Sequence, residues 1–121
     1  MSKKCIFCRI VSGEKPEIHI AENEKFITLL DIEQKSKAHS IIILREHHKI
    51  VEGMNAHDWS LMLSILKESV GKINKCYHPI GFNLHTYSSE KEGLNLQSVP
   101  HFHLHIVPLY EKHDRSRECI G

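Results

Sequence analysis

A chain of 121 residues, 40% hydrophobic and 26% charged, has the length and composition of one ordinary globular domain, which excludes a disordered, collagen-like or low-complexity protein. Sixteen Lys and Arg against 15 Asp and Glu leave a net charge of +1, without the basic surplus that favours a nucleic-acid partner, and no apolar run approaches the roughly 18 to 20 residues of a membrane span. The Met-Ser-Lys-Lys opening lacks a signal-peptide core, so a cytoplasmic protein with no membrane partner is expected. Histidine is the anomaly, at 11 residues in 121, and it has to be explained position by position.

No linker or repeat divides the sequence, so residues 1–121 read as a single domain with a core at 5–108 and a tail at 109–121. The segment 5–11, Cys-Ile-Phe-Cys-Arg-Ile-Val, predicts a short helix that stops at Gly13, with Pro16 beyond it as a breaker. The β-branched, apolar runs at 25–30 and 39–44 predict two strands separated by the polar stretch 33–37. Asn55 can cap a helix running to about Cys76, with Asp58 in its first turn near the positive end of the dipole. Trp59, Met62, Leu63, Leu66, Val70 and Ile73 fall on one apolar face of that helix, and Leu61 and Ile65 fall on another side. A helix apolar on two sides suits packing against its own sheet and a partner chain, or a single deep core. His78-Pro79 ends it; 81–87 then predicts a strand, 88–93 a polar turn, and 101–109 the last strand. The pattern is α+β with a mainly antiparallel sheet, and it lacks the rhythm of a doubly wound fold.

The last strand carries His101-Phe102-His103-Leu104-His105-Ile106-Val107-Pro108. Alternation puts three imidazoles on one face and Phe102, Leu104 and Ile106 on the other, which is apolar enough to be core. A row of partly buried imidazoles costs stability unless each finds partners, so a functional return is expected. One ring can attack phosphorus near pH 7 while its neighbours steady the charge. A three-histidine metal site and a solvated edge face are the competing readings.

The sequence resembles the histidine triad (HIT) family of nucleotide hydrolases and transferases. The resemblance rests on His-x-His-x-His followed by apolar residues, the opening Cys-Ile-Phe-Cys-Arg-Ile-Val-Ser-Gly-Glu-Lys-Pro, Leu30-Asp31-Ile32, Ala38-His39-Ser40, and Gln97-Ser98-Val99-Pro100. It implies a five-stranded antiparallel sheet with one long helix and a short N-terminal helix, assembled as a homodimer. It also implies that His103 is the nucleophile, that His105 binds phosphate oxygens and helps the leaving group, and that His101 and His39 support them. Asp31 would hold the ribose, Ile32 would lie beside the base, and Gln97 and Ser98 would meet the phosphate or leaving group.

Cys5 and Cys8 alone leave a redox pair or two buried thiols open. In family members with this opening, His47 and His101 match the residues that complete a Cys2His2 zinc site, structural rather than catalytic, with no cofactor required for the chemistry. The implied substrates are purine nucleoside monophosphate conjugates of the adenosine phosphoramidate kind. Alternatives are a dinucleoside polyphosphate hydrolase, a zinc-stabilised nucleotide-binding module with little turnover, and a metalloenzyme using the triad as ligands. The chain departs from the family at Tyr87, where Asn is expected, at Leu96, where Gly is usual, and in a longer 88–95 loop; these differences are expected to reshape the leaving-group side of the pocket. His19, His48, His57, His78, His85 and His113 read as surface or turn residues, and Cys76 and Cys119 as free thiols.

Overall fold

The computed structural model describes residues 5–47, 53–87 and 101–111. Two helices and five strands follow in the order α1 (Ile6–Val11), β1 (Ala21–Glu22), β2 (Phe26–Leu30), β3 (Ser40–Leu44), α2 (Ala56–Tyr77), β4 (Gly81–Thr86) and β5 (His103–Leu109). The strands form one antiparallel sheet in the order β1-β2-β3-β5-β4. All five residues of β3 are buried, so this central strand reads as an unbroken apolar run rather than an alternating one. Among the described residues no helix is long and apolar enough to cross a membrane.

Alternation along the strands builds two cores on opposite faces of the sheet. Phe26, Ile42, Leu44, Phe102 and Ile106 pack with Met62, Ile65 and Ile73 of α2. Ile27, Leu29, Ile41 and Ile43 pack with Phe7 and Ile10 of α1. The expected core role of Phe102 and Ile106 holds, since both are fully buried, while Leu104 is partly buried against the same cluster.

A reciprocal capping box starts α2: Asn55 Oδ1 accepts the Asp58 N–H at 2.8 Å, and Asp58 Oδ2 accepts the Asn55 N–H at 3.1 Å. The helix ends where His78 turns left-handed at φ 53°. Its buried stripe is Asp58, Met62, Ile65, Ser69 and Ile73, which corrects the face read from hydropathy. Ile65 belongs to the core, whereas Leu63 is 60% exposed and Trp59 37%. The displacement has a polar cause: Ser69 Oγ donates to Thr28 Oγ1 at 2.9 Å inside the interface, so the face centres on a hydroxyl that hydropathy counts as surface. Truncating Ile65 to Ala removes fully buried methylenes and costs about 2 to 5 kcal/mol.

Two further boundaries differ from expectation. β1 is only two residues long, paired Ala21↔Thr28 and Glu22↔Ile27, too short to register as alternation. The Asn23 side chain turns the chain back into β2, its Oδ1 accepting the N–H groups of Lys25 and Phe26 at 3.0 and 2.9 Å. β5 begins at His103, and His101 lies in a bend before it. The expected 88–93 turn lies outside the described residues.

Candidate functional site

His103 and His105 rise together from β5 on the face that carries α1, opposite Ile43 and Ile41 of β3. The edge of the Phe7 ring meets His103 at a centroid distance of 4.9 Å. A cavity of about 210 Å³ opens beside them, walled by Phe7 and Ile10 of α1, by Leu29 and Ile41 of the sheet, and by Asp31 and Ile32 just beyond β2. Its lining is apolar on the α1 side and polar where Asp31, His103 and His105 meet, a shape that accepts a flat ring at one end and a polar group at the other.

Backbone groups of fixed polarity assign the protons of the imidazoles. His103 Nδ1 lies 2.8 Å from the His101 carbonyl oxygen, which only accepts, so Nδ1 carries the proton and Nε2 keeps its lone pair. The Lys35 N–H donates to His39 Nδ1 at 3.1 Å, so the His39 proton sits on Nε2. That Nε2 is 3.0 Å from His105 Nδ1 and 3.3 Å from Asp31 Oδ2. Accepting from His39 leaves the neutral His105 ring with its own proton on Nε2. One ring therefore offers a lone pair and its neighbour an N–H, the complementary pair needed to attack a phosphoryl group and bind its oxygens.

Burial lowers His39 and His103. His39, fully buried, is pushed down to about 4 mainly by loss of water, with the Asp31 carboxylate only partly opposing it. Burial also lowers His103, against the hydrogen bond to His101, which favours its charged form. Burial works to raise Asp31, but the His105 ring, the Glu33 N–H at 3.1 Å and the neighbouring imidazole charge together hold it below the usual carboxylate range. The polar end of the cavity thus sets the Asp31 carboxylate beside His39 and His103, two rings whose neutral form burial favours. Ala38, at φ 69°, puts a non-glycine residue in the left-handed region just before His39, a backbone cost accepted where the His39 ring must enter the network.

A second cluster lies behind the first. Cys5 Sγ, Cys8 Sγ, His47 Nδ1 and His101 Nδ1 are separated by six distances of 3.1 to 3.5 Å. A regular tetrahedron with such edges has its centre about 2.0 Å from each vertex, close to the Zn–N distance of about 2.0 to 2.1 Å and somewhat inside Zn–S at about 2.3 Å. His101 Nε2 faces the Leu44 carbonyl oxygen and donates to it, which leaves Nδ1 as the ligating atom. The four residues can hold a metal ion, and their donor set suits zinc. Because His101 turns its ring to this cluster and its carbonyl to His103, the three triad imidazoles do not converge on one point. Among the described residues the other candidate metal group is Asp31, His39 and His105.

The structure brings together Asp31, His39, His103 and His105 as one group and Cys5, Cys8, His47 and His101 as the other. Ile32, 73% exposed, stands at the cavity rim. Gln97, Ser98, Leu96 and the 88–95 loop lie outside the described residues. His85, expected on the surface, is instead a half-buried residue on the histidine face: its ring stacks on His105 at 4.6 Å and 16°. Alternation from Gly81 puts Asn83, His85 and Tyr87 on one side, and that was the signal available. Cys76 is a free, exposed thiol, and His19, His57 and His78 are exposed as expected.

Residues 4–119 match the family described as scavenger mRNA decapping enzyme C-term binding. The protein hit of Bacillus subtilis is 33% identical over 113 residues, spanning 93% of this chain and 76% of that one. The adenosine 5′-monophosphoramidase of Schizosaccharomyces pombe is 31% identical over 104 residues, 86% of this chain and 73% of the relative. Among solved structures, a Zn-bound histidine triad family protein from Mycobacterium smegmatis superposes with a TM-score of 0.77 at 28% identity, covering 91% of this chain and 78% of the other.

Proposed function

The chain belongs to the histidine triad family, and from that premise we propose that it cleaves purine nucleoside monophosphate conjugates, with a phosphoramidate as the preferred kind, through a nucleotide carried on His103. The reading rests above all on one observation: His103 Nδ1–H is clamped to the His101 carbonyl, so the Nε2 lone pair is the atom left for chemistry at the cavity wall. The base occupies the apolar end between Phe7, Ile10 and Ile32, and Asp31 accepts from the ribose hydroxyls. Gln97 and Ser98 are proposed to meet the phosphate or the leaving group, as the family resemblance implies.

His103 Nε2 attacks phosphorus and forms a P–N bond while the bond to the leaving nitrogen breaks, its electron pair staying on that nitrogen. In this step His105 enters protonated on both nitrogens, its Nδ1–H toward Asp31 Oδ2 at 3.5 Å; it gives the Nε2 proton to the leaving nitrogen, which departs as the amine, and returns to the neutral ring that accepts from His39. Water then displaces His103 from phosphorus, its proton passes to His105, and the nucleoside monophosphate leaves. The relative named as an adenosine 5′-monophosphoramidase supports this substrate class over a dinucleoside polyphosphate.

Zinc is the metal proposed for Cys5, Cys8, His47 and His101, as the Zn-bound neighbour supports. Held by these four residues, zinc would tie α1 to the bend before β5, a structural role beside the cavity. The proposed assembly is a cytoplasmic homodimer, one domain per chain. It would be formed through the exposed apolar side of α2, with Trp59 and Leu63, and β4, the sheet-edge strand that carries the 46%-exposed Leu84. The test is turnover of adenosine 5′-phosphoramidate and of a diadenosine polyphosphate by the wild type and His103→Ala. A loss on the order of 10³ or more with the phosphoramidate is expected, and near wild-type turnover by His103→Ala overturns the assignment.

A further inference from the structure

We infer that His85 is a specificity-determining residue for the leaving group, accepting a hydrogen bond from the N–H of an amine on the side of phosphorus away from the nucleoside. The inference rests on the function proposed above and names the part of the substrate that this chain selects.

Position is the first argument. Across the histidine face the strands run β2, β3, β5, β4. The nucleoside-sized cavity lies over β2 and β3 beside α1, and His103 and His105 of β5 form its wall. His85 is the cross-strand partner of His105 on β4, one strand further out at about 4.8 Å. It does not line the cavity, so a phosphoryl group held at His103 and His105 has its nucleoside toward β2 and its other substituent toward β4.

Chemistry is the second argument. His85 Nδ1 is 2.8 Å from Asn83 Oδ1, an amide oxygen that only accepts, so the His85 proton sits on Nδ1 and Nε2 holds a lone pair. The stack on His105 at 4.6 Å and 16°, and the Tyr87 ring edge-on at 5.9 Å, fix the plane of the ring. Burial, then the neighbouring charge of His105 and of Lys35, lowers His85 from its ordinary value and favours the neutral ring near pH 7. A neutral ring offering a lone pair attracts an amine N–H and repels the acceptor-only oxygens of a phosphate leaving group. A surface histidine would have neither the fixed tautomer nor the ring on His105.

The test compares two adenylyl substrates that carry the same aryl group and differ at the departing atom: an N-aryl adenosine 5′-phosphoramidate, with an N–H, and the corresponding aryl ester of adenosine 5′-monophosphate, with an oxygen and no N–H. The full chain and His85→Phe, which keeps an aromatic ring over His105 but removes the acceptor, are assayed for kcat/KM on both. The amide-to-ester ratio is expected to fall about five- to tenfold in His85→Phe, the worth of one neutral hydrogen bond, and to recover in part in His85→Gln, whose amide oxygen accepts. Melting temperature and adenosine monophosphate affinity report the fold, and His85→Leu carries the same comparison if His85→Phe melts early. A ratio that does not change, or two rates that fall equally, overturns the inference while the His103 chemistry stands. A wild type that turns over neither substrate overturns the proposed function and this inference with it.

Discussion

Acid should destabilise this protein through His39 in a window set by that one ring. His39 is fully buried, its Nδ1 accepts the Lys35 N–H, and burial holds its folded-state value near 4. An unfolded histidine takes its proton at about 6.5, so as pH falls from 6.5 to 4 the unfolded chain binds a proton that the folded chain refuses. Stability is therefore lost across that window and levels off below it. A gap of roughly 2.5 pH units at about 1.4 kcal/mol each sets a ceiling near 3.5 kcal/mol, and about 2 to 3 kcal/mol should be gone by pH 4.5. His85 and His103 are shifted in the same direction, so the wild-type slope alone does not isolate His39. His39→Asn does, because the Asn carbonyl can still accept the Lys35 N–H but does not titrate. Urea unfolding of both proteins at pH 7 and pH 4.5 is the assay. The wild type should lose about 2 to 3 kcal/mol more than the variant between the two pH values; parallel losses would refute the argument.

Metal analysis should find one zinc per chain, and Cys8→Ser should release it with a fall in melting temperature, since an ion bound only by the folded state adds its binding energy to folding. Unchanged melting after complete metal removal would contradict a structural role. Sedimentation should give a dimer at micromolar concentration, and Leu63→Glu, placing a charge on the exposed side of α2, should shift it to monomer with the fold retained; a wild type sedimenting as a monomer contradicts the dimer.

The histidine strand was legible because its information is local. Alternation alone sorted His103 and His105 from Phe102 and Ile106, and Asn55 with Asp58 marked the start of α2. The face of α2 was only half legible, because Ser69 is buried by a bond to Thr28, 41 positions away, while Leu63 is left outside. The metal quartet shows the same limit. Cys5 and Cys8 announce themselves by spacing, but His101 reaches Cys5 across 96 positions, and only resemblance linked them. His85 is not legible from its own strand, since facing His105 depends on the register between β4 and β5. The proton positions were out of reach of the sequence, set as they are by the Lys35 N–H and the His101 carbonyl.

The central claim is a covalent bond between His103 Nε2 and the nucleotide phosphorus. Mixing enzyme with labelled adenosine 5′-phosphoramidate, quenching within milliseconds at a pH above neutrality to spare the acid-labile P–N bond, and sequencing the peptide that spans 101–107 by mass spectrometry measures it directly. The account predicts label on His103, appearing and disappearing at rates that match turnover and absent from His103→Ala. Turnover without label on that peptide, or label residing on His101 or His105, would contradict it.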